Sequence, residues 1–492
     1  MDLKTLENLP SNQKLLLLGV GTEIIQFLEW LDNVVKFDLK RVYLADKKDV
    51  TSIDNFTLTQ FAGCYFNDNY LDAFENENIK YIFKAPGIWS KSQELELFRT
   101  KNGSDSVLSS LVFFIQKFKS QIIGITGTKG KSTTSSLIQH LLVNAGYNSK
   151  YCGNTTGISP YQFWTIKDQE LQPNQKFVIE LSSFQLQDIG YSKISLETSV
   201  ITNYYIDHLD QHGNVMEYWS SKDQIFVNNP ENAFVIATDQ VLEHSSNLSE
   251  IKNKIVVDKN IIDKINNLIQ HNLLGDHNKS NLSQSLILTE SLVFKTHNLD
   301  LILKNIEAKK DFYTKILTTF KPLAHRIELI RTIETPELTI NFYDDGAATE
   351  PDAVAAAVLS TTQNANQFLW LQFTGKDANS NLDNLISTLK KQHNQIFKID
   401  FCGEIGGRIY ENMYSTPIKN IKFKDLTTAQ FDIFEMQIIE FIEFIKDKNL
   451  QQKPVLQIVL SPCGKSFDEF SNYLDRCNWW QSKVKSIQLN GN

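Results

Sequence analysis

The segment Gly124-Ile-Thr-Gly-Thr-Lys-Gly-Lys-Ser-Thr-Thr134 carries residue types and spacing suited to phosphate chemistry. It follows the apolar run Gln121-Ile-Ile123 and opens onto Ser135-Ser-Leu-Ile-Gln-His-Leu-Leu-Val143, whose apolar spacing is helical. Strand, glycine turn and helix together make a cradle of backbone N–H groups at a helix N-terminus, which attracts anions. In that cradle Gly127, Thr128, Lys129 and Gly130 form the turn, Lys131 reaches the terminal phosphates, and Ser132 or Thr133 ligates Mg²⁺. The spacing departs from the usual phosphate loop, because Ile125 rather than glycine stands five residues before Gly130. A glycine turn that merely feeds a helix is the bland alternative.

Other chemistry-bearing residues fall at the ends of expected strands. Lys176-Phe-Val-Ile-Glu180 ends on an acid, where a Mg²⁺ ligand beside a phosphate loop belongs. Thr198 to Asn203 reads as the next strand, followed by Asp207-His-Leu-Asp-Gln-His212, so His208 joins Glu180 as a candidate metal ligand. A solvated loop histidine is the alternative there. Lys222, on an expected helix from Met216 to Phe226, is an ordinary surface lysine when taken alone. Near the start, the strand Lys14 to Gly21, the helix Thr22 to Leu31 and the strand Arg41 to Asp46 read as a βαβ nucleotide-binding unit. Tyr81 to Ile88 is a further strand running into the Pro86-Gly87 turn, where bare backbone can meet a ligand.

These residues need a large α/β scaffold to position them. A chain of 492 residues exceeds one core, so roughly two to four domains are expected. Its net charge of −8 argues against general nucleic-acid or membrane-surface binding. The five cysteines, Cys64, Cys152, Cys402, Cys463 and Cys477, are scattered without a CxxC pair, which fits a reducing compartment. No run approaches the about 20 apolar residues of a spanning helix, and Met-Asp-Leu-Lys lacks a basic leader, so a cytoplasmic location is expected. Residues 228–272 are rich in Asn, Lys and Ser and poor in motifs. Further on, runs at Leu338–Tyr343, Phe368–Phe373, Ile396–Phe401 and Val455–Leu460 read as strands of a parallel sheet, with a helix from Phe431 to Lys448 packed on it. The fold class is α/β, with boundaries at 1–118, 119–322 and 323–492.

Taken in order, these motifs resemble the Mur ligases over nearly the whole chain, and in particular the glutamate-adding branch. Thr126-Gly-Thr-Lys-Gly-Lys-Ser-Thr133 matches the family's ATP loop except for Lys129 in place of Asn. Gly153-Asn154 with Gly157 and Pro160 looks like a lengthened GNIGxP element, and Asn203 with Asp207-His-Leu-Asp210 like NxTxDHxDRH. Glu180-Leu-Ser-Ser-Phe-Gln-Leu186 is the most discriminating string, typical of the glutamate-adding branch. Gly275-Asp-His-Asn-Lys-Ser-Asn281 resembles the adenine-side motif, His325-Arg326 the HR motif, and Ser461-Pro-Cys-Gly-Lys-Ser-Phe-Asp-Glu-Phe470 the closing signature.

The resemblance implies a Rossmann-like UDP-substrate domain, a central phosphate-loop ATPase-type domain and a Rossmann-like amino-acid domain. It implies ATP and Mg²⁺, an acyl-phosphate intermediate, and the ligation of D-glutamate to UDP-N-acetylmuramoyl-L-alanine by a monomer in peptidoglycan precursor synthesis. Under it Lys131, Glu180, His208 and Lys222 are catalytic. Ser132, Glu180, His208 and a carbamylated Lys222 surround the metal. Asn278, Asn281, Arg326 and Asp345 serve the nucleotide, while Gly21, Thr22, Asp46, Gly87 and Asn154 bind the UDP-sugar. Thr349, Lys376, Ser466 and Tyr473 serve the amino acid. Two family lysines at that last site are replaced by Ala347 and Ala378, so Lys376 and Lys465 are candidates to restore the charge. The alternatives are a Mur-type ligase for another amino acid such as L-glutamate, or a non-catalytic nucleotide-binding homologue.

Overall fold

The run Leu15-Leu-Leu-Leu18 is buried throughout, as a central parallel strand covered on both faces requires. In the computed structural model the described residues are 3–53, 55–153, 157–166, 172–205, 214–229, 231–273, 275–321, 323–417 and 421–487. They form two compact units, Met1–His271 with Lys279–Phe320, and Asn272–Asn278 with Lys321–Asn492.

The first unit holds two sheets. One contains β1 (Lys14–Leu18), β2 (Val42–Asp46), β3 (Gly63–Phe66), β4 (Ile79–Lys84) and β5 (Val107–Ser109), in the order β3-β2-β1-β4-β5. The other contains β6 (Ile122–Thr126), β7 (Asn148–Cys152), β8 (Gln175–Glu180), β9 (Thr198–Ile201), β10 (Phe234–Thr238) and β11 (Asn253–Val257), in the order β11-β10-β9-β6-β8-β7. Every pairing in both sheets is parallel. The strand order reverses beside β1 in one sheet and beside β6 in the other, and such switch points open a crevice at the C-terminal strand ends. Motif-poor residues 228–272 supply β10 and β11, whose Val235-Ile-Ala237 core is buried.

An aromatic seam joins the two sheets. Trp30 lies 4.3 Å from Trp164 and Phe27 lies 5.1 Å from Tyr161, centroid to centroid. The Tyr161 hydroxyl donates to the Ser110 carbonyl at 2.7 Å. Large rings bury much apolar area while their polar tips find partners, so this seam is a strong brace.

The second unit holds β12 (Glu328–Glu334), β13 (Thr339–Asp344), β14 (Gln367–Thr374), β15 (Ile396–Phe401) and β16 (Val455–Cys463), in the order β12-β13-β16-β14-β15. Two expectations need correction here. The sheet is mixed, because β12 runs antiparallel to β13. The turn between them closes with Thr335 N–H donating to the Leu338 carbonyl at 3.0 Å, and so short a link permits only a hairpin. The single helix expected from Phe431 to Lys448 is two, Phe423–Asp432 and Phe434–Ile445. Ile433 leaves helical geometry at φ −110° and ψ 30°, and the break lets Phe431 and Phe434 both face Trp370, at 6.5 and 6.4 Å.

Candidate active site

The phosphate loop leaves β6, whose five residues are all buried, and ends at the helix Lys131–Asn144. Its two glycines are required by close packing. Gly127 sits at φ +139°, where an added Cβ would lie 2.0 Å from Thr202 Oγ1. Gly130 sits at φ +79°, where it would lie 2.6 Å from Asn281 Oδ1. Asn203, just past β9, clamps the loop from its side. Its Oδ1 accepts from Lys129 N–H at 2.9 Å, and its Nδ2 donates to the Lys129 carbonyl at 3.0 Å. Thr202 Oγ1 adds a donation to the same carbonyl at 2.5 Å. A loop held this way needs little reordering to meet phosphate oxygens, which is the geometry electrostatic catalysis exploits.

The predicted ATP-side residues of the first unit converge on this loop. Lys131 Nζ folds back to donate to the carbonyls of Gly127 and Thr128 at 3.1 and 3.0 Å. Thr128 is buried, and Tyr205 N–H donates to its hydroxyl at 3.0 Å. Ser132 is buried and Thr133 half-buried in the first helical turn. Lys222 is far from the surface lysine that its local sequence suggests. It is 1% exposed, donates to the Gly127 carbonyl at 3.2 Å and sits 4.2 Å from the Tyr218 ring centroid. Glu180 ends β8 opposite Ile125, which puts it beside the loop, and its Oε2 accepts from the Tyr151 hydroxyl at 2.8 Å. Asn281 packs on Gly130. His208 and Asn154 lie outside the described residues. The clamp by Asn203 and Thr202 acts across more than 70 residues of chain, and only the proximity of Asn203 to the His208 motif hints at it.

At the other switch point a cavity of about 350 Å³ opens between the two sheets of this unit. Gly21, Thr22 and Gly87 line it from one side, Gly153, Gly157 and Ser159 from the other. Gly19 must be glycine, since at φ +84° a Cβ would lie 2.9 Å from Ala85 Cβ. Asp46 is outside the lining. It shapes the turn instead, accepting from Val20 N–H at 2.7 Å and Lys48 N–H at 2.8 Å. Beneath the cavity Lys84 pairs with Asp188 at 2.8 Å, the two side chains being 1% and 4% exposed. Lys84 Nζ also donates to the Ile88 carbonyl at 2.9 Å, which pins the Pro86-Gly87 wall. A larger hollow of about 580 Å³, lined by Tyr191, Trp219 and His244 among others, contains none of the predicted site residues.

In the second unit Asp345 follows β13 and is buried. Its Oδ2 accepts from Ser461 Oγ at 2.6 Å and its Oδ1 from Ile327 N–H at 3.2 Å. Burial pushes its carboxyl up to about 7, against the pull of the Ser461 hydroxyl and the Arg326 charge. His325 Nδ1 donates to Asp344 Oδ2 at 2.7 Å, and that bond raises the imidazole above its ordinary range. Burial works to raise Asp344 too, but the hydrogen bonds from His325, Gln481 and Gly346 N–H outweigh it and hold the carboxylate low. Asn278 is half-buried and Arg326 exposed. At the amino-acid side, Lys376 and Lys465 form a two-way backbone bridge, N–H to carbonyl at 2.7 and 3.1 Å, and both side chains are exposed. Gly375 permits this crossing, since a Cβ there would lie 2.5 Å from the Lys465 carbonyl oxygen. Thr349 is half-buried, Ser466 buried and Tyr473 partly exposed, its ring 6.3 Å from His325.

A clamped phosphate loop at one switch point and a glycine-walled cavity at the next define a nucleotide-using α/β protein. Residues 125–282 match the Mur ligase middle domain. Over 97% of both chains the sequence is 26% identical to UDP-N-acetylmuramoylalanine--D-glutamate ligase of Acetivibrio thermocellus. It is 24% identical to the protein of the same name from Clostridium tetani, again over 97% of each. The fold is shared with UDP-N-acetylmuramate-alanine ligase of Thermotoga maritima, at TM-score 0.50 and 14% identity, over 96% of this chain and all of that one. The middle of the chain therefore carries a Mur ligase middle domain, and the chain is similar along nearly its whole length to the ligases just named.

Proposed function

We propose that the protein couples ATP cleavage to the ligation of D-glutamate onto UDP-N-acetylmuramoyl-L-alanine, a step of peptidoglycan precursor synthesis. One observation carries the reading: Lys131, Lys222 and Asn281 gather on a clamped phosphate loop, with Glu180 on the adjoining strand, in a chain similar end to end to ligases of that name. Within it, 1–118 serve as the UDP-substrate domain, 119–322 as the ATP domain and 323–492 as the amino-acid domain. No helix among the described residues is long and apolar enough to cross a membrane.

A substrate carboxylate oxygen attacks the γ-phosphorus and ADP leaves; the amine nitrogen of glutamate then attacks the acyl carbon, phosphate leaves and the nitrogen loses a proton. Phosphoryl transfer asks mainly for positioning and charge neutralisation. Lys131 turns from its own loop carbonyls to the transferring phosphate, while the loop N–H groups hold the remaining oxygens. The Ser132 hydroxyl and the buried Glu180 carboxylate are hard oxygen donors and suit Mg²⁺, with His208 as a third ligand. Held by these residues, Mg²⁺ would neutralise negative charge on the reacting phosphate. Lys222, carbamylated, keeps one N–H for the Gly127 carbonyl while its new carboxylate adds negative charge near that metal.

For the incoming dicarboxylate, burying a carboxylate unpaired costs several kcal/mol, and Ala347 and Ala378 offer no charge. The bridged pair Lys376 and Lys465 supplies it. The test offers the enzyme ATP, UDP-N-acetylmuramoyl-L-alanine and, in parallel, D-glutamate, L-glutamate and neutral amino acids while ADP is measured. D-Glutamate should be preferred, and Lys376→Glu or Lys465→Glu should raise its KM while sparing that of ATP. Preference for another amino acid defeats the acceptor assignment. ADP release that is indifferent to the UDP-sugar defeats the ligase reading.

A further inference from the structure

The cavity beside β1 has a lining with one unusual member. Among the described residues that line it the polar side chains are Thr22, Glu23, Gln26, Ser159 and Gln185, with no lysine or arginine. Three of the five are committed to the protein. Gln26 donates to the Gly157 carbonyl at 3.0 Å and accepts from Ser159 N–H at 2.7 Å, so both ends of its amide hold the far wall in place. Ser159 Oγ accepts from Tyr161 N–H at 3.3 Å. Gln185 Oε1 accepts from Ser182 N–H at 3.0 Å and from its hydroxyl at 3.1 Å, while Nε2 reaches toward Glu23.

Glu23 is different. Its Oε1 accepts from Ser110 Oγ at 2.5 Å, but its Oε2 has only the 3.5 Å approach of Gln185 Nε2, at the limit of a hydrogen bond. The residue is half-buried and open to the cavity. A half-buried carboxyl facing a cavity whose described lining holds no lysine or arginine gains from a donor that arrives to meet it. Burial raises its pKa, the Ser110 hydroxyl opposing, and in either protonation state an acceptor oxygen remains.

Position along the cavity says which part of a ligand brings that donor. On one side of Glu23 lie the glycine turns of the first sheet, Gly21 and Gly87. On the other lie Gly153 and Ile179, the latter one residue before Glu180 beside the phosphate loop. A ligand with its nucleotide on the first wall and its reacting carboxylate toward the loop places its middle, the acylated amino sugar, across Glu23.

We propose that Glu23 is a specificity-determining residue that accepts a hydrogen bond from an amide N–H or hydroxyl of the sugar part of the UDP-linked substrate. This rests on the UDP-sugar reading of the cavity. The test is calorimetric binding to the full chain with two probes, UDP-N-acetylmuramoyl-L-alanine and uridine diphosphate, for the wild type, Glu23→Gln and Glu23→Leu. Glu23→Gln preserves shape and an acceptor oxygen, so it keeps the protein folded and retains most of the affinity. Glu23→Leu should weaken the full substrate about tenfold or more, as loss of a hydrogen bond to a charged group does, and leave uridine diphosphate within about twofold. Equal loss for both probes, no loss for either, or tighter uridine diphosphate binding by Glu23→Leu would overturn the assignment; the last would place the carboxyl against the diphosphate. A wild type that binds neither probe overturns the UDP-sugar reading itself, and this inference with it.

Discussion

Replacing Lys131 by alanine separates folding from catalysis. In the structure Lys131 Nζ donates to the Gly127 and Thr128 carbonyls of its own loop at 3.1 and 3.0 Å. The side chain is half-buried, so water can replace the lost donors. Each such bond is worth about 1 kcal/mol net, against about 5–15 kcal/mol for a folded domain, and alanine is a good helix former at the first helical position. The fold should survive. Turnover should not, because a preorganised charge aimed at a transferring phosphoryl group is typically worth about 3 kcal/mol. That corresponds to roughly a hundredfold loss in rate. ATP affinity should fall less than turnover, since the loop N–H groups stay clamped by Asn203 and Thr202. The assay is ADP release under saturating substrates, with thermal unfolding followed in parallel. A folded Lys131→Ala protein that turns over near the wild-type rate would refute the ATP-site assignment.

Lys222→Ala should be almost inactive yet folded, and millimolar acetate should restore part of the rate by occupying the vacated anion position; carbon-13 NMR after exposure to labelled CO₂ should show a carbamate in the wild type only. Lys84→Met removes the ion-pair partner of Asp188, 4% exposed, and leaves it the Ser90 hydroxyl, which should cost about 3–5 kcal/mol and lower the unfolding temperature markedly, whereas replacing both ion-pair partners by apolar residues should recover most of it. The raised Asp345 has a definite sign. Its folded carboxyl at about 7 binds a proton more tightly than the unfolded one near about 4, so stability falls as pH rises across that window, by an order of magnitude of about 4 kcal/mol in all. His325, also raised, loses its contribution as pH climbs through its folded pKa, while Asp344, held low, matters only in acid. Asp345→Asn should therefore flatten the decline in unfolding temperature between about pH 4 and 7, and an unchanged slope would show that the carboxyl is not strained by burial.

What the sequence discloses about this site follows from how far each contact reaches along the chain. The phosphate loop is legible because strand, turn and helix are consecutive, and glycine at Gly127 and Gly130 is demanded by local backbone and near neighbours. Glu180 is legible because acids at strand ends fall on the edge where a parallel sheet binds ligand, and the pairing with Ile125 delivers that. Lys222 looks like a surface residue because its helix shows no apolar stripe pointing inward at it; only the fold turns it onto the Gly127 carbonyl. The Asn203 clamp, the Lys84–Asp188 pair and the Gln26 bracket join residues 74, 104 and 131 or more apart, and no periodicity encodes such partners. The same limit explains why the antiparallel edge strand is hidden in the sequence while the four strands that are legible there pair in parallel. β12 alternates half-buried and exposed positions with Leu329 outward, so it lacks the continuous apolar run that marks its parallel neighbours. Helical spacing likewise carries straight through Ile433, because a one-residue break leaves the apolar composition on both sides intact. Chemistry at strand ends is thus written locally, whereas the residues that hold those ends at working distance from one another are set by how the two sheets of the first unit close on the seam of Trp30, Tyr161 and Trp164. Glu23 belongs to that second class: its helix position is plain from sequence, but its place facing a cavity exists only once the seam has formed.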